Sequence, residues 1–349
     1  MARPGGAGGA NGDTPVHLVD RLPSGPDTGK TVRSRRGRHS EEALVSGLPA
    51  GAISIGGRDD DCPYVDGSSG LDDEERMFVV LAAGLLAPDI TRLRVSAPRV
   101  ARYWEPGQFV ILRVAEGGER IPLTVAAADR HEGSIDLVVQ GVGKTTRLLN
   151  TLGVGDPIAD VVGPLGTPSD IDRFGTVAVV GGGVGTAIAL PTARALAQAG
   201  NRVVAVVGAR SAGLVILVDE LEALAAEVIV TTDDGTRGRR GLVTDALAEV
   251  IEREEVHRVV AIGPIPMMRA VAELTRPRGI PTVVSLNPIM VDGTGMCGGC
   301  RVLVGGETRF ACVDGPEFDA HRVDFEVLSV RNQAYGEFER ARLAAFGAG

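Results

Sequence analysis

The 349-residue chain is short of aromatic residues, which make up 3% of it and include one tryptophan. Base stacking needs aromatic faces and a phosphate backbone needs positive charge, so the formal charge of -9 argues a second time against a nucleic-acid partner. Long apolar runs are also missing. No stretch approaches the roughly 20 residues of a membrane span, and the N-terminus has no apolar signal core. Cysteine is scarce at four residues without a disulfide-rich pattern, which makes a reducing cytoplasm the expected compartment. What is plentiful is glycine, at 48 residues, a composition that suits tight turns and nucleotide loops. The length allows two or three domains with real cores.

Residues 1–76 are rich in Gly, Pro, Ser, Asp and Arg and keep no period of two or of three to four residues. They read as a disordered extension, with Cys62 as a free thiol and the basic run Arg33, Arg35, Arg36 and Arg38 as a solvated tail. Met77 stands directly before the first strand, so part of this leader is open to being read as an overlong translation.

From residue 77 to 170 the texture becomes β-rich. Short strands in FVVLAAGLLAPDITRLRVSAP, GQFVILRV, RIPLTVAAAD and SIDLVVQ are followed by one helix after Gly143, which predicts a small antiparallel barrel. Within it Arg120 can pair with a pyrophosphate, and Thr124 can face a planar ring across Pro122 and Leu123. Gly141, Lys144 and Thr145 sit where a helix begins with its N–H groups free and form a candidate second phosphate cradle. The segment VGPLG ends the barrel.

Residues 171–287 open with TVAVVGGGVGTAIALPTARALAQAGNRVVAVVGAR, a strand, glycine turn, helix and strand in the order of a Rossmann-like parallel sheet. Gly181, Gly182, Gly183 and Gly185 allow backbone to approach a pyrophosphate at the helix N-terminus. The match to G-x-G-x-x-G is incomplete, since Thr186 takes the third glycine's place, and Arg210 stands where an acidic ribose ligand is usual. Asp233 and Asp234 end a later strand and Gly263 another, both at the expected crevice edge. An amphipathic helix is expected with Leu242, Ala246, Leu247 and Val250 on its apolar side.

Residues 288–330 contain Cys297, Cys300 and Cys312, with Asp292 five residues before the first. Plant-type two-iron sites use C-x4-C-x2-C and a distant fourth cysteine, so Asp292 occupies the place of the first thiolate. The spacing predicts a [2Fe-2S] cluster held by three cysteines and one aspartate, wrapped by Gly293, Gly295, Gly298, Gly299, Gly305 and Gly306. A tetrahedral zinc site is the competing reading of the same donors, and Asp292 alone would read as a turn residue in Asp-Gly. Residues 331–349 predict a terminal helix.

Barrel, nucleotide sheet and two-iron segment in this order resemble the ferredoxin-NADP reductase superfamily. The motifs GERIPLT, GGGVGTA, TDDGT, IGPIPMM and SLNPIMVDGTGMCGGCRV with FACVDGPEFD look most like the small subunit of NADH-dependent reduced ferredoxin:NADP+ oxidoreductase, also described as sulfide dehydrogenase. A related branch is the electron-transfer subunit of dihydroorotate dehydrogenase, which has cysteine where this chain has Asp292. Ile188 departs from the proline expected after GTA. The resemblance implies FAD on Arg120, Pro122, Leu123 and Thr124, with Gly141, Lys144 and Thr145 on its phosphate side. It implies NAD(H) or NADP(H) on Gly182, Gly183, Val184 and Gly185, then Asp233, Asp234 and Gly263, and no side chain acting as acid, base or nucleophile. It further implies an oxidoreductase passing electrons through a [2Fe-2S] cluster to a larger iron-sulfur flavoprotein in a heterodimer, or to ferredoxin. A dihydroorotate-type complex, a self-sufficient reductase, and a non-catalytic nucleotide sensor with a zinc site are the alternatives.

Overall fold

A computed structural model describes residues 78–346, all within one compact unit. The expected leader, with Cys62 and the arginine run, lies outside the described residues. No described helix is long and apolar enough to cross a membrane.

The first sheet contains β1 (Phe78–Ala87), β2 (Ile90–Ser96), β3 (Phe109–Arg113), β4 (Arg120–Asp129), β5 (Ser134–Gln140), β6 (Pro157–Ile158) and β7 (Asp160–Leu165), with helices α1 (Pro98–Tyr103) and α2 (Lys144–Leu149) between strands. Its order is β6-β1-β2-β5-β4-β3-β7, and every pairing is antiparallel. The two edge strands follow one another in the chain, so the sheet curls towards closure as the expected barrel. Its interior is the alternating set Leu93, Val95, Val110, Leu112, Ile135, Leu137 and Val139, all fully or almost fully buried. Each is worth on the order of 1.5–3 kcal/mol of apolar burial. Helix α1 was not visible in the residue pattern: six residues opened by Pro98 are too short to show a period.

The second sheet is built from near-continuous apolar runs joined by helices. It comprises β8 (Thr176–Gly182), β9 (Arg202–Ala209), β10 (Glu227–Thr232), β11 (Arg239–Arg240), β12 (Arg258–Ile262), β13 (Thr282–Ser285) and β16 (Glu317–Asp319), in the order β11-β10-β9-β8-β12-β13-β16. All pair in parallel except β16, which runs antiparallel on β13. Successive residues of β8 serve opposite faces: Val177 and Val179 pack with α3 (Gly185–Gln198) and α4 (Val218–Glu222), Ala178 and Val180 with α5 (Val243–Arg253) and α6 (Ile265–Thr275). Both faces are therefore covered by helices, which is what an apolar, β-branched parallel strand requires. Ala126 and Val138 of the barrel join the α3-side core. A charged residue at Val179 would break that layer.

Two expectations are corrected here. Leu242 caps α5 instead of packing on its apolar side and is 58% exposed; Ala246, Leu247 and Val250 are buried as expected. Gly305 and Gly306 do not wrap a metal loop but form the turn between β14 (Arg301–Val304) and β15 (Glu307–Phe310), with φ of 62° and 82°. Beyond β16 the chain ends in two helices, α7 (Phe325–Asn332) and α8 (Gly336–Phe346). Asp324 caps the first by accepting from the N–H groups of Glu326 and Val327.

Candidate functional site

In an open parallel sheet, ligands gather at the carboxyl ends of the strands where the order reverses. Here the reversal lies between β8, which leads to β9 on one side, and β12 on the other. A cavity of about 990 Å³ opens there and is shared by all three parts of the described chain, near the upper end of the range for small-molecule sites.

The glycine turn after β8 forms its base. Gly182, Gly183, Val184 and Gly185 all line it. Gly183 has a φ of 56°, a conformation that a side chain disfavours. A Cβ on Gly185 would lie 2.3 Å from the Ile262 carbonyl oxygen. Only glycine therefore lets α3 start this close to β12. No side chain caps α3; Thr186 N–H and Ala187 N–H donate to the Gly183 and Val184 carbonyls at 3.1 and 3.0 Å, which leaves the N–H groups of Val184 and Gly185 available to an anion. Ile188 does not disturb that turn, which is helical from Gly185; the helix carries Pro191 instead.

Phe109, Pro122, Leu123, Thr124, Val138 and Gln140 form the barrel wall. The remaining phosphate-side expectations are distributed differently. Arg120 and Lys144 are exposed at the starts of β4 and α2 and do not line the cavity. Thr145 is buried and its hydroxyl donates to the Glu119 carboxylate. Gly141 faces inward, its N–H donating to the Asp89 carbonyl at 2.8 Å and its carbonyl accepting from Arg147 Nε at 3.3 Å. The neighbours Val142 and Thr146 line the cavity instead. Periodicity placed the turn but not which side of it faces inward.

At the tips of β9 and β10 the two loops continue the ladder. Asp233 N–H donates to the Ala209 carbonyl at 3.1 Å and Asp234 N–H to that of Arg210 at 3.3 Å. Arg210 and Asp233 line the cavity with opposite charge. Asp234 does not line it. Its carboxylate accepts from the Thr236 hydroxyl at 2.6 Å and backbone N–H at 2.9 Å, bonds that hold it below the usual carboxylate range, the hydroxyl contributing most. It folds the turn. Gly263, Pro264 and Met267 close the next side, while Met268 is fully buried in the core. Gln140, Thr146 and Asn287 are lining residues that sequence reasoning passed over. The polar end of the apolar strand SIDLVVQ was the one available signal, for Gln140.

The last wall is Ser285, Leu286, Asn287, Pro288 and Met290, and this stretch runs directly into the cysteine loop. Backbone of that loop lies against the barrel: a Cβ on Gly293, whose φ is 82°, would meet Leu165 Cδ1 at 2.6 Å and Ile111 Cδ1 at 2.9 Å. Among the described residues, no three His, Cys, Asp or Glu side chains converge as a single metal ion would require. The four expected donors fall into two pairs instead. Cys300 and Cys312 are buried with their sulfurs 3.2 Å apart. Asp292 and exposed Cys297 form the second pair, the Asp292 Oδ2 accepting from Cys297 N–H at 2.6 Å and its Oδ1 from Thr294 N–H at 2.6 Å. These bonds, Thr294's first, lower the Asp292 carboxyl below its usual range. Burial pushes the Cys312 thiol up to about 12, with the Cys300 sulfur adding to the shift. Gly299 N–H points at Cys297 Sγ and Cys312 N–H at Cys300 Sγ, each at 3.4 Å, the arrangement that tunes metal-bound sulfur.

The comparisons agree with this geometry. Residues 287–324 match the family model described as the iron-sulfur cluster binding domain of dihydroorotate dehydrogenase B. The chain is 47% identical over 261 residues to a dihydroorotate dehydrogenase B (NAD(+)) electron transfer subunit homolog of Thermotoga maritima, covering 75% of this chain and 92% of that one. It is 38% identical over 260 residues to the dihydroorotate dehydrogenase B (NAD(+)) electron transfer subunit of Geobacillus thermodenitrificans, covering 71% and 98%. Among solved structures it is similar to an NADH-dependent reduced ferredoxin-NADP oxidoreductase studied for flavin-based electron bifurcation, with a TM-score of 0.74 and 44% identity over 80% of this chain and 99% of that one. The fold is thus that of the ferredoxin reductases with an added C-terminal iron-sulfur segment, and the chain belongs to the family of dihydroorotate dehydrogenase B-type electron transfer subunits.

Proposed function

We propose that this chain is the NAD(P)H-side subunit of a flavoprotein oxidoreductase, with FAD against the barrel, a dinucleotide on the glycine turn and a [2Fe-2S] cluster on Asp292, Cys297, Cys300 and Cys312. The observation that carries the reading is the shared wall: Ser285, Leu286, Asn287, Pro288 and Met290 line the cavity, and the stretch leads without interruption into the donor loop. When bound, the flavin would supply two-electron acceptance from a nicotinamide and single-electron release to the cluster.

The chain's own residues orient and exclude. Pro122, Leu123 and Thr124 present backbone and a hydroxyl to a flat ring, and Phe109 backs them. The Gly182–Gly185 turn and the start of α3 hold a pyrophosphate, with Arg210 and Asp233 at the ribose end of the same crevice. Cys300 and Cys312 would bind one iron, Asp292 and Cys297 the other. No side chain is required as acid, base or nucleophile, because positioning the reacting rings is the catalytic contribution. Asp292 makes the site differ from one with four thiolates, since a carboxylate is the harder ligand. Similarity to the electron-bifurcating oxidoreductase supports a larger iron-sulfur flavoprotein as partner, and the unpaired thiols suit a reducing cytoplasm. The test is an anaerobic titration of the purified chain with NADH: flavin absorbance near 450 nm should bleach and a reduced two-iron signal appear by electron paramagnetic resonance. Absence of both changes at saturating NADH refutes the reading.

A further inference from the structure

One side-chain cluster lies outside the cavity, where the barrel, the nucleotide sheet and the donor segment meet. Ser169, on the stretch between β7 and β8, donates from its hydroxyl to Glu317 Oε1 at 2.7 Å and lies 3.1 Å from the Thr192 hydroxyl on α3. Its backbone N–H donates to the Pro106 carbonyl, at the entry to β3, at 2.8 Å. The fit is close, as a Cβ on Gly107 would lie 2.4 Å from Ser169 Oγ and 3.3 Å from Glu317 Oε1. Ser169 and Thr192 are 8% and 1% exposed.

Glu317 stands on β16 opposite Ser285, a residue of the cavity wall, and directly after Pro316, another. Five residues earlier is Cys312. The same short segment is stitched to the inter-domain stretch twice more, by Thr167 N–H to the Gly315 carbonyl at 2.6 Å and by Thr167 Oγ1 to the Val313 carbonyl at 3.1 Å. The charged groups facing Glu317 are Arg258 on β12 and Asp170 on the inter-domain stretch. They pair with each other at 3.0 Å, and Arg258 also sits over the Phe174 ring at 4.3 Å. The carboxyl group therefore depends on Ser169 for its partner. A half-buried carboxyl is costly to keep unless it is well bonded, and nothing in the proposed electron path uses it.

We propose that Glu317 is a positioning residue: clasped by Ser169, it holds the segment carrying Cys312 in register with the barrel and the nucleotide sheet, and so sets the spacing between cluster and flavin. This rests on the electron-relay reading above. Single-electron transfer slows as donor and acceptor move apart, and the clasp acts through the position of one cluster ligand.

The test compares Glu317→Ala and Glu317→Gln in the intact, cofactor-loaded chain. Anaerobic mixing with NADH reads flavin reduction and cluster reduction as separate phases, and hydrogen exchange reads the amides of residues 312–319. In Glu317→Ala the flavin phase and iron content stay at parent values, the cluster phase slows several-fold, and exchange in 312–319 rises. Glu317→Gln, which can still accept from Ser169, restores both. Should Glu317→Ala not fold, Ser169→Ala carries the same readouts. A parent-like cluster phase together with parent-like exchange overturns the inference. Where the parent itself shows no cluster phase the relay reading fails, and hydrogen exchange alone then decides whether Glu317 holds the segment.

Discussion

Replacing Gly185 by alanine isolates the role of the glycine turn. The added Cβ would lie 2.3 Å from the Ile262 carbonyl oxygen, 2.8 Å from the Ile262 carbonyl carbon and 2.9 Å from Gly263 Cα. Ordinary contact begins near 3.4 Å, so relief needs a shift of about 1 Å, and backbone atoms cannot swing away as a side-chain tip can. Two effects compete. Alanine in a helix gains up to about 1 kcal/mol over glycine, while overpacking of this kind costs about 1–3 kcal/mol. The steric term wins because the atoms met are backbone, for a net loss of up to about 2 kcal/mol and a fall in Tm of up to about 8 °C. The same shift moves the uncapped start of α3 away from the anion it would hold, so NADH affinity should fall about tenfold or more, equivalent to ~1.4 kcal/mol. Thermal melting and NADH titration measure the two effects. Gly84→Ala is the control, as its Cβ would meet nothing within 4 Å. A Gly185→Ala protein with the parent's Tm and NADH affinity would refute the reasoning.

Three further outcomes are expected. Burial raises the Glu317 carboxyl above its ordinary value of 4.5, against the lowering by Ser169 and Arg258 and with Asp170 adding to the rise. The folded form thus favours the protonated state, and parent stability should fall as pH rises from about 4.5 through the folded value. In Glu317→Gln that loss should vanish, and an unchanged stability-pH curve would contradict the assignment. Asp136, its side chain 4% exposed, accepts from Arg92 at 2.6 Å and from Arg94 at 2.9 Å, side chains that are 34% and 42% exposed. Asp136→Ala should cost about 1–3 kcal/mol by denaturant unfolding, less than a fully buried pair because water screens both arginines. In metal-free protein, Cys297 is exposed while Cys300 and Cys312 are 1% and 2% exposed. Iodoacetamide should therefore alkylate Cys297 well before the other two, as read by peptide mass; equal labelling would contradict the described loop.

The fold was legible where burial is one-sided and regular. TVAVVGG and RVVAVVGA alternate between two helical layers and are apolar throughout, which leaves a covered parallel sheet as their natural home. The barrel strands showed the same regularity. The iron-sulfur segment was legible because C-x2-C on a glycine-rich loop has few uses, although the approach of Cys300 to Cys312 came only with the structure. Orientation around short turns was not legible. Thr145 and Thr146 look alike in the chain, yet one is tied to Glu119 and the other lines the cavity, a choice made by a six-residue helix and a carboxylate 26 positions away. Asp233 and Asp234 divide in the same way, since Thr236 captures the second. Glu317 gave no signal because its partner, Ser169, is distant in sequence.

The metal and flavin content of protein purified without oxygen tests the central claim most directly. Two irons, two acid-labile sulfides and one FAD per chain are expected, with iron lost in Cys300→Ser and Cys312→Ser. A colourless protein carrying one zinc, with neither flavin nor iron, would contradict it.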